Sequence, residues 1–344
     1  MKSRYFNSLK ELIPFLEALS GQGYFFRGQR DAIQWHVIPS IFRENRLDAY
    51  IKKIQVPSSN YSYPFNESVV KEWLNCKEIL EFVSLILYKN KNKIRYFEQL
   101  PLKIQKLFEL GTFLLKYNFY LGLYVSQNPN NHLFDKKTSS LCEVIPYQVW
   151  ATKDKFIGYI QHTLPLLLDI ILMDGNIHQK GSHDNVITSY NQTFPQHYDF
   201  PTAAVDVTTC YLVALHFATD GGDKIDSTCF SVYAYKQLDF SDDAPCFLYN
   251  DDELQFNIRA QAQKGSFLFF RSPCTHYLET GKFPSLDKLV NHCINNHLQH
   301  FADVIKINVP YTNYVLTPLR ECLITNDISN KTLKPDIANM PVLI

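Results

Sequence analysis

The sequence predicts an α+β fold in which one domain, residues 1–45 and 190–344, is interrupted by a mostly helical insertion over residues 46–189. Three observations support this prediction. Leucines recur at helical spacing near the N-terminus, and alternating apolar segments typical of strands follow residue 200. Two long apolar series with helical spacing lie between residues 67 and 124.

The first predicted element is a helix that begins near Ser8. Ser8 with Glu11 three residues later has the form of a capping box, and leucines follow at helical spacing. Pro14 lies too far into this pattern for the favoured first turn, which predicts a later start or a kink. A short apolar strand over residues 24–26 comes next, and we expect it to carry Arg27 at its end.

The elements after residue 200 mix short helices with β-rich segments. We interpret Asp206 and Thr208 as the N-cap region of the helix that follows them, because both side chains can accept a backbone N–H. The predicted elements are a helix over 211–218, strands over 229–235 and 265–270, a helix over 286–301 and a strand over 304–309.

Composition limits the classes of function. The chain has 344 residues, of which 46% are hydrophobic and 20% charged, as expected for a folded protein with a sizeable core. Lys+Arg and Asp+Glu are both 34, which argues against a broad nucleic-acid surface but leaves a local basic groove open. The eight cysteines form no Cys-x-x-Cys pair, and we expect no metal site. We find no signal-peptide core or membrane span, and therefore expect a cytoplasmic protein.

Two short motifs carry most of the functional signal, because each puts hydrogen-bonding residues beside aromatic ones. A fold that brought them together would form a polar pocket with apolar walls. The first motif is Phe25-Phe26-Arg27-Gly28-Gln29, with Trp35 and the run 39–43 behind it. The second is Gln196-His197-Tyr198, followed by Pro201-Thr202, Asp206 and Thr208. A third segment carries Arg259, Gln261, Gln263 and Gly265.

These motifs resemble the FRG domain family, which is named for its Phe-Arg-Gly triplet. The family's second hallmark, Gln-His-Tyr-Gly-x-Pro-Thr-Arg-Leu-Leu-Asp-Trp-Thr, is similar to residues 196–208. Its Arg-x-x-x-Gln-x-Gly-x-Phe segment resembles residues 259–267. The chain departs from the family at Ala203 and Val207, where the family has arginine and tryptophan, and at Asp199, where it has glycine.

The order of the motifs is also similar to that of ADP-ribosyltransferase folds. Those use an early strand with Arg or His, a middle block ending in an aromatic-Ala turn, and a late strand with Glu or Gln. By this analogy Arg27, the segment 214–218 and Gln263 would occupy the three places. The resemblance implies an ADP-ribosyltransferase-like mixed β core with flanking helices and a pocket for NAD or a related nucleotide. The family setting further implies a toxin or defence effector.

Cleavage of the nicotinamide–ribose bond of NAD would give each candidate residue a role. Arg27 would grip a phosphate with its planar fork, and Gly28 would allow close backbone approach. His197 would hold a ribose or move a proton, and Asp206 would orient it. Gln263 would hydrogen-bond a ribose hydroxyl.

The remaining candidates would complete the nucleotide site. Phe26 and Tyr198 are candidates for stacking on a flat ring, as is Phe217. Gln261 shares period-two spacing with Gln263, so both would face one side of a strand. The cofactor-binding set is Phe26, Gly28, Gln29, Tyr198, Thr202 and Gln261.

Structural interpretations stand beside these functional ones. Arg27 could form a buried ion pair with Asp206 or another acid, and His197 could cap the turn at Pro201. Phe217 and Phe267 are favoured as core residues.

An alternative to transferase chemistry is also open. Active ADP-ribosyltransferase folds generally place a Glu where this chain has Gln263. The chain would then be a non-catalytic recognition module for a nucleotide, a nucleic acid or a protein partner, the last contacted through the helical insertion.

Overall fold

The computed structural model divides the chain into two compact units. One comprises Met1–Arg43, Gln192–Arg271 and Pro284–Ile344, and the other comprises Glu44–Asn191 and Ser272–Phe283. The structure describes residues 1–43, 46–53, 201–202, 204–220, 227–241, 244–249, 258–270, 276–277, 280–295 and 300–335. The predicted helical insertion therefore lies outside the described residues except for one helix, Arg46–Lys53. The first unit carries the sheet and the candidate site.

The described strands form one seven-stranded mixed sheet, which confirms the α+β class. The spatial order is β1-β7-β4-β2-β3-β6-β5, and among these neighbours β1 and β7 run parallel while the other pairs are antiparallel. The strands are β1 Lys2–Tyr5, β2 Phe25–Gln29, β3 Ala204–Thr208, β4 Cys229–Gln237, β5 Cys246–Tyr249, β6 Gly265–Phe270 and β7 Ala302–Pro310. The predicted strands of the C-terminal part, β4, β6 and β7, are all confirmed.

The described helices are α1 Leu9–Gly21, α2 Arg46–Lys53, α3 Tyr211–Thr219, α4 Ile258–Ala262, α5 Leu286–Asn295, α6 Asn313–Thr325 and α7 Asn330–Leu333. The predicted capping box of α1 is wrong in its side-chain part: Ser8 is the N-cap residue, but its side chain makes no capping bond. Pro14 lies inside α1. The prediction for α5 was too long, because Phe301 is a buried residue directly before β7 and is not helical.

Alternating side chains along the central strands give the sheet two buried faces. On one face, Phe230 of β4 and Ile307 of β7 pack in a core with residues of α1, α3 and α6. On the other face, Tyr233 of β4 and Val304 of β7 pack with Leu286 and other residues of α5. Helices therefore cover both sides of the middle of the sheet.

The sheet is continuous on one side of β2 and interrupted on the other. β4 pairs with β7 at nine consecutive positions and with β2 at five. β2 pairs with β3 at one position only, Phe26 opposite Thr208. The two strands therefore separate beyond this pair, and the gap between them positions the candidate site.

The interpretation of Asp206 and Thr208 as the N-cap region of α3 is wrong. Both residues lie in β3, and the residue that precedes α3 is Cys210. The Thr208 hydroxyl does accept a hydrogen bond from the Cys210 N–H at 3.0 Å, so it shapes the turn between strand and helix. The two acceptor side chains that suggested a helix N-cap belong to the strand that precedes the helix.

Candidate functional site

A cavity of about 410 Å³ opens where β2 and β3 separate. Its walls come from β2, β3, α3 and α4, and from the segments that follow β2 and α7. The charged residues among its described lining residues are Asp206, Arg27, Arg30, Arg43, Arg259 and Lys334. Trp35 and Phe217 add aromatic surface. The described part of the cavity wall therefore combines five cationic side chains and one carboxylate with flat rings.

Arg27 lies at the centre of this cavity wall. It occupies the middle of β2 and not the end of the strand as predicted. Its Nη1 donates to the Asp206 carbonyl oxygen at 2.6 Å and lies 3.8 Å from the carboxylate Oδ2 of the same residue. The Arg27 guanidinium thus donates to a β3 carbonyl oxygen at the point where backbone pairing between β2 and β3 stops.

Burial lowers the pKa of Arg27, and the Asp206 charge and hydrogen bond offset part of that effect. The Arg27 side chain is only 16% exposed, and its Nε has no hydrogen-bond partner among the described residues. The ion pair between Arg27 and Asp206, which was one structural interpretation of the sequence, is present, and both residues also line the cavity.

Gly28 is required by packing between β2 and α3. A Cβ at this position would lie 2.0 Å from the Ala214 carbonyl oxygen and 2.7 Å from the Ala218 backbone nitrogen. No side chain fits there, because backbone atoms of a helix cannot move aside as a flexible side chain can. The backbone that approaches Gly28 closely belongs to α3, whereas the sequence predicted close approach of a ligand.

The prediction that Gln261 and Gln263 share one face of a strand is wrong. Gln261 is exposed on α4, and Gln263 lies between α4 and β6. Lys264 has a φ of 47°, and this left-handed residue turns the chain from helix into strand. The period-two spacing of the two glutamines therefore spans the end of a helix. Their side chains do not lie on one face of a strand.

Gln263 does line the cavity, but its amide is already engaged. Its Nε2 donates to the Leu333 carbonyl oxygen at 3.1 Å. The backbone carbonyl oxygen of Gln263 accepts a hydrogen bond from the Thr208 hydroxyl at 2.7 Å. Gln263 therefore ties the start of β6 to β3 and to α7.

The other nucleotide-binding candidates are divided between the cavity and the core. Gln29 lines the cavity, is 4% exposed, and its Nε2 has no hydrogen-bond partner in the described part of the chain. Phe26 forms part of the wall, but its ring is fully buried and edge-on to Tyr211 in the core, so it cannot stack on a ligand. Thr202 is fully buried and bonds Ser40, whose Oγ accepts its N–H at 2.9 Å. Thr202 is not part of the cavity wall.

His197 and Tyr198 lie outside the described residues, as do Asp199 and Ala203. The two aromatic core predictions had different outcomes. Phe267 is fully buried in the core, as predicted. Phe217 is only half-buried and lines the cavity.

Of the five cations among the described lining residues, the sequence predicted only Arg27 as a site residue. Arg30 lies with its guanidinium 5.3 Å from the centre of the Trp35 ring, and Lys334 lies with its Nζ 5.8 Å from the Phe217 ring. These are cation–π distances. Arg43 and Arg259 lie within motifs that resemble the FRG family, so the sequence offered a reason to consider them. Arg30 and Lys334 lie in no such motif.

The helix α7 brings Lys334 to the cavity. Ser329 and Thr332 form a reciprocal capping box at its start, and Leu333 is buried. Asn330 donates through Nδ2 to Asp220 Oδ2 at 2.7 Å, which ties α7 to the end of α3. Together with the Gln263 bond, these contacts hold α7, and with it the backbone that precedes Lys334, in place.

No protein-family model, curated protein or solved structure matches this chain. Among the described residues, no helix is long and apolar enough to cross a membrane. The same residues contain no group of three or more His, Cys, Asp or Glu side chains placed to hold a metal ion.

Proposed function

We propose that this chain is an FRG-domain protein whose cavity between β2 and β3 binds NAD or a related nucleotide. The observation that carries the proposal is the joint presence of Arg27, Arg30 and Lys334 with the rings of Trp35 and Phe217 in one cavity. Guanidinium and ammonium groups bind phosphates, and aromatic faces bind flat bases. A volume of about 410 Å³ also lies within the range of small-molecule sites.

Two buried donors of the cavity wall support an acceptor-rich ligand. Arg27 Nε and Gln29 Nε2 have no hydrogen-bond partner among the described residues, although both side chains are largely buried. Buried donors are nearly always satisfied in folded proteins. Phosphate and ribose oxygens would be suitable acceptors for both.

Three elements support an ADP-ribosyltransferase-like arrangement. Arg27 on an early strand, Ala214 on the middle helix α3 and Gln263 in the turn before a late strand all line the same cavity. In such a site the nicotinamide–ribose bond of NAD would break through an oxocarbenium-like state. Asp206 is the carboxylate among the described lining residues, and its charge would stabilise that cation. The toxin or defence role belongs to this version of the proposal.

The catalytic proposal is tested by incubating the purified protein with labelled NAD. We expect nicotinamide release and transfer of label, and a loss of at least about tenfold in rate for Arg27→Lys, which keeps the charge but not the planar fork. Arg27→Ala should lose more. Arg320→Lys on the exposed surface of α6 is the control. Silence of the wild-type protein in both assays contradicts the catalytic version.

A non-catalytic nucleotide-binding module is the second candidate, and a specific observation favours it. Gln263 stands where transferases place a Glu, and its amide already bonds Leu333. A ligand that binds only the folded state raises its stability by about 2.7 kcal/mol at a hundred times its Kd. Thermal stabilisation by nucleotides without nicotinamide release would support this module over the enzyme, and absence of stabilisation would contradict both.

A further inference from the structure

Among the described residues that line the cavity, cations outnumber carboxylates. Asp206 is the single carboxylate among the described residues that line the cavity, and it lies 3.8 Å from Arg27. Arg30 and Lys334 form no ion pair with any described residue, and each lies over an aromatic ring instead. Asp206 therefore offsets the charge of Arg27, whereas no carboxylate among the described residues pairs with Arg30 or Lys334.

Nucleotides differ in how well they match this excess. A terminal phosphate carries nearly two negative charges at neutral pH, because its second pKa is about 6. In NAD each phosphate is linked to a ribose and to the other phosphate and so carries one negative charge, and the nicotinamide ring carries a positive one. Charges interact more strongly in a partly buried cavity than in bulk water. Arg30 and Lys334 would thus attract a terminal phosphate and repel the nicotinamide ring.

We infer that the cavity binds a nucleotide with a free terminal phosphate, a nucleoside diphosphate or triphosphate, in preference to NAD. The inference rests on the proposed nucleotide-binding function and specifies the ligand class of that site. The adenosine or other nucleoside would lie beside Trp35 or Phe217, and the terminal phosphate would contact Arg30 and Lys334. A bound nucleoside diphosphate would also supply acceptors for the buried donors of Arg27 and Gln29.

The test compares matched ligands by titration calorimetry without added metal. ADP and ADP-ribose share the adenosine and both phosphates, but ADP-ribose has no free terminal phosphate. We expect ADP to bind at least about tenfold more tightly than ADP-ribose or NAD, and NADH, whose ring is neutral, to bind more tightly than NAD. The advantage of ADP should shrink as salt is raised, because part of it is electrostatic.

Two variants test the residues that carry the inference. Arg30→Gln and Lys334→Gln should each weaken ADP binding about tenfold and change NAD binding much less. Lys331→Gln is the matched control for Lys334, because it lies three residues earlier on α7, is exposed and is not among the residues that line the cavity. Arg320→Gln on α6 is the control for Arg30. Circular dichroism confirms that each variant is folded before the titration.

The possible outcomes separate the inference from the proposed function. Equal or tighter binding of NAD than of ADP overturns the inference and leaves the proposed function standing. No binding of any nucleotide to the folded wild-type protein overturns both. Tighter binding of a 5′-phosphorylated oligonucleotide than of ADP overturns the inference in favour of a nucleic-acid end. Preference for ADP that survives in Arg30→Gln and Lys334→Gln also overturns it.

Discussion

The two sides of β2 differ in how completely the backbone is paired with the neighbouring strand. Towards β4 and β7 the sheet is paired without a break, at five positions between β2 and β4 and at nine between β4 and β7, and apolar side chains cover both faces. Towards β3 the pairing is reduced to one position, and Arg27 supplies its guanidinium to the Asp206 carbonyl oxygen where a strand would supply a backbone N–H. Continuous pairing gives stability to one side, and its interruption gives a charged cavity to the other.

The first and largest prediction tests the continuous side. Phe230 of β4 is fully buried, and its ring lies 5.3 Å from that of Tyr311. Phe230→Ala should lower the free energy of unfolding by about 4 kcal/mol, because it removes buried apolar surface and leaves a cavity. Urea denaturation measures this loss. Nucleotide affinity at a temperature where the variant is folded should stay within about twofold of wild type.

The control for Phe230 is Tyr314→Ala, because Tyr314 is 75% exposed on α6. Its effect on unfolding should stay within about 0.5 kcal/mol. A loss below about 1 kcal/mol for Phe230→Ala, or a large loss of nucleotide affinity, would show that the continuous side is not the independent stabilising part described above.

The second prediction concerns the place where β2 meets α3 beside the gap. Gly28→Ala would put a methyl group 2.0 Å from the Ala214 carbonyl oxygen, so α3 must move away from β2. We expect a loss of about 2–3 kcal/mol in unfolding free energy from this overpacking. Phe217 lies on the same helix, so nucleotide affinity should fall as well, by about tenfold. A joint loss of stability and binding distinguishes this side from the Phe230 side.

Gly21→Ala is the matched control for Gly28. A Cβ at Gly21, the last residue of α1, would meet nothing within 4 Å, and alanine favours the helix. This variant should be neutral or slightly more stable. If Gly28→Ala behaved in the same way, the close contact between β2 and α3 would not exist in solution.

The same contrast explains what the sequence could predict. β4 and β7 were predicted because side chains that alternate between two buried faces leave a period-two pattern. Gln263 was misplaced because its spacing from Gln261 imitates that pattern across the left-handed turn at Lys264. The spacing of residues indicates which side chains share a face of a helix or strand. It does not locate the boundary between a helix and a strand that follow each other closely in sequence.

The composition of the cavity was predictable only in part. Arg27, Asp206 and Gln263, which were selected from the three sequence motifs, do line the cavity. Arg30 and Lys334 reach the same cavity from segments more than 300 residues apart, held by separate turns and helix contacts. Such convergence depends on tertiary structure, and no local pattern in one sequence records it.

The third prediction, with the smallest effect, concerns the turn that follows β2 and precedes Trp35. Asp31 accepts hydrogen bonds from the Ile33 N–H at 2.8 Å, the Gln34 N–H at 2.9 Å and the Ser227 hydroxyl at 3.2 Å. Burial would raise the pKa of Asp31, but these hydrogen bonds and the charge of Lys306 outweigh it and lower the pKa. The ionised carboxylate therefore stabilises the turn.

A lowered pKa in the folded state fixes the sign of the pH dependence. The stabilisation by Asp31 is complete above the pKa of the unfolded chain, about 4, and is lost as pH falls through the lower pKa of the folded protein. Asp31→Asn keeps an oxygen that can accept the two backbone N–H groups but removes the charge. It should lower the unfolding free energy by about 1 kcal/mol near neutral pH and show a flatter loss of stability below pH ~4.

Urea denaturation at a series of pH values measures the difference between wild type and Asp31→Asn. Asp303 also has a lowered pKa, and it titrates in both proteins, so its contribution cancels in the difference. Asp327→Asn, exposed after α6, is the control for the removal of a carboxylate. If the Asp31 difference were independent of pH, the turn would depend on hydrogen-bond geometry alone. A difference that disappears in acid would mean that the negative charge of Asp31 holds the Arg30–Trp35 turn, and with it one wall of the gap beside β2, in place.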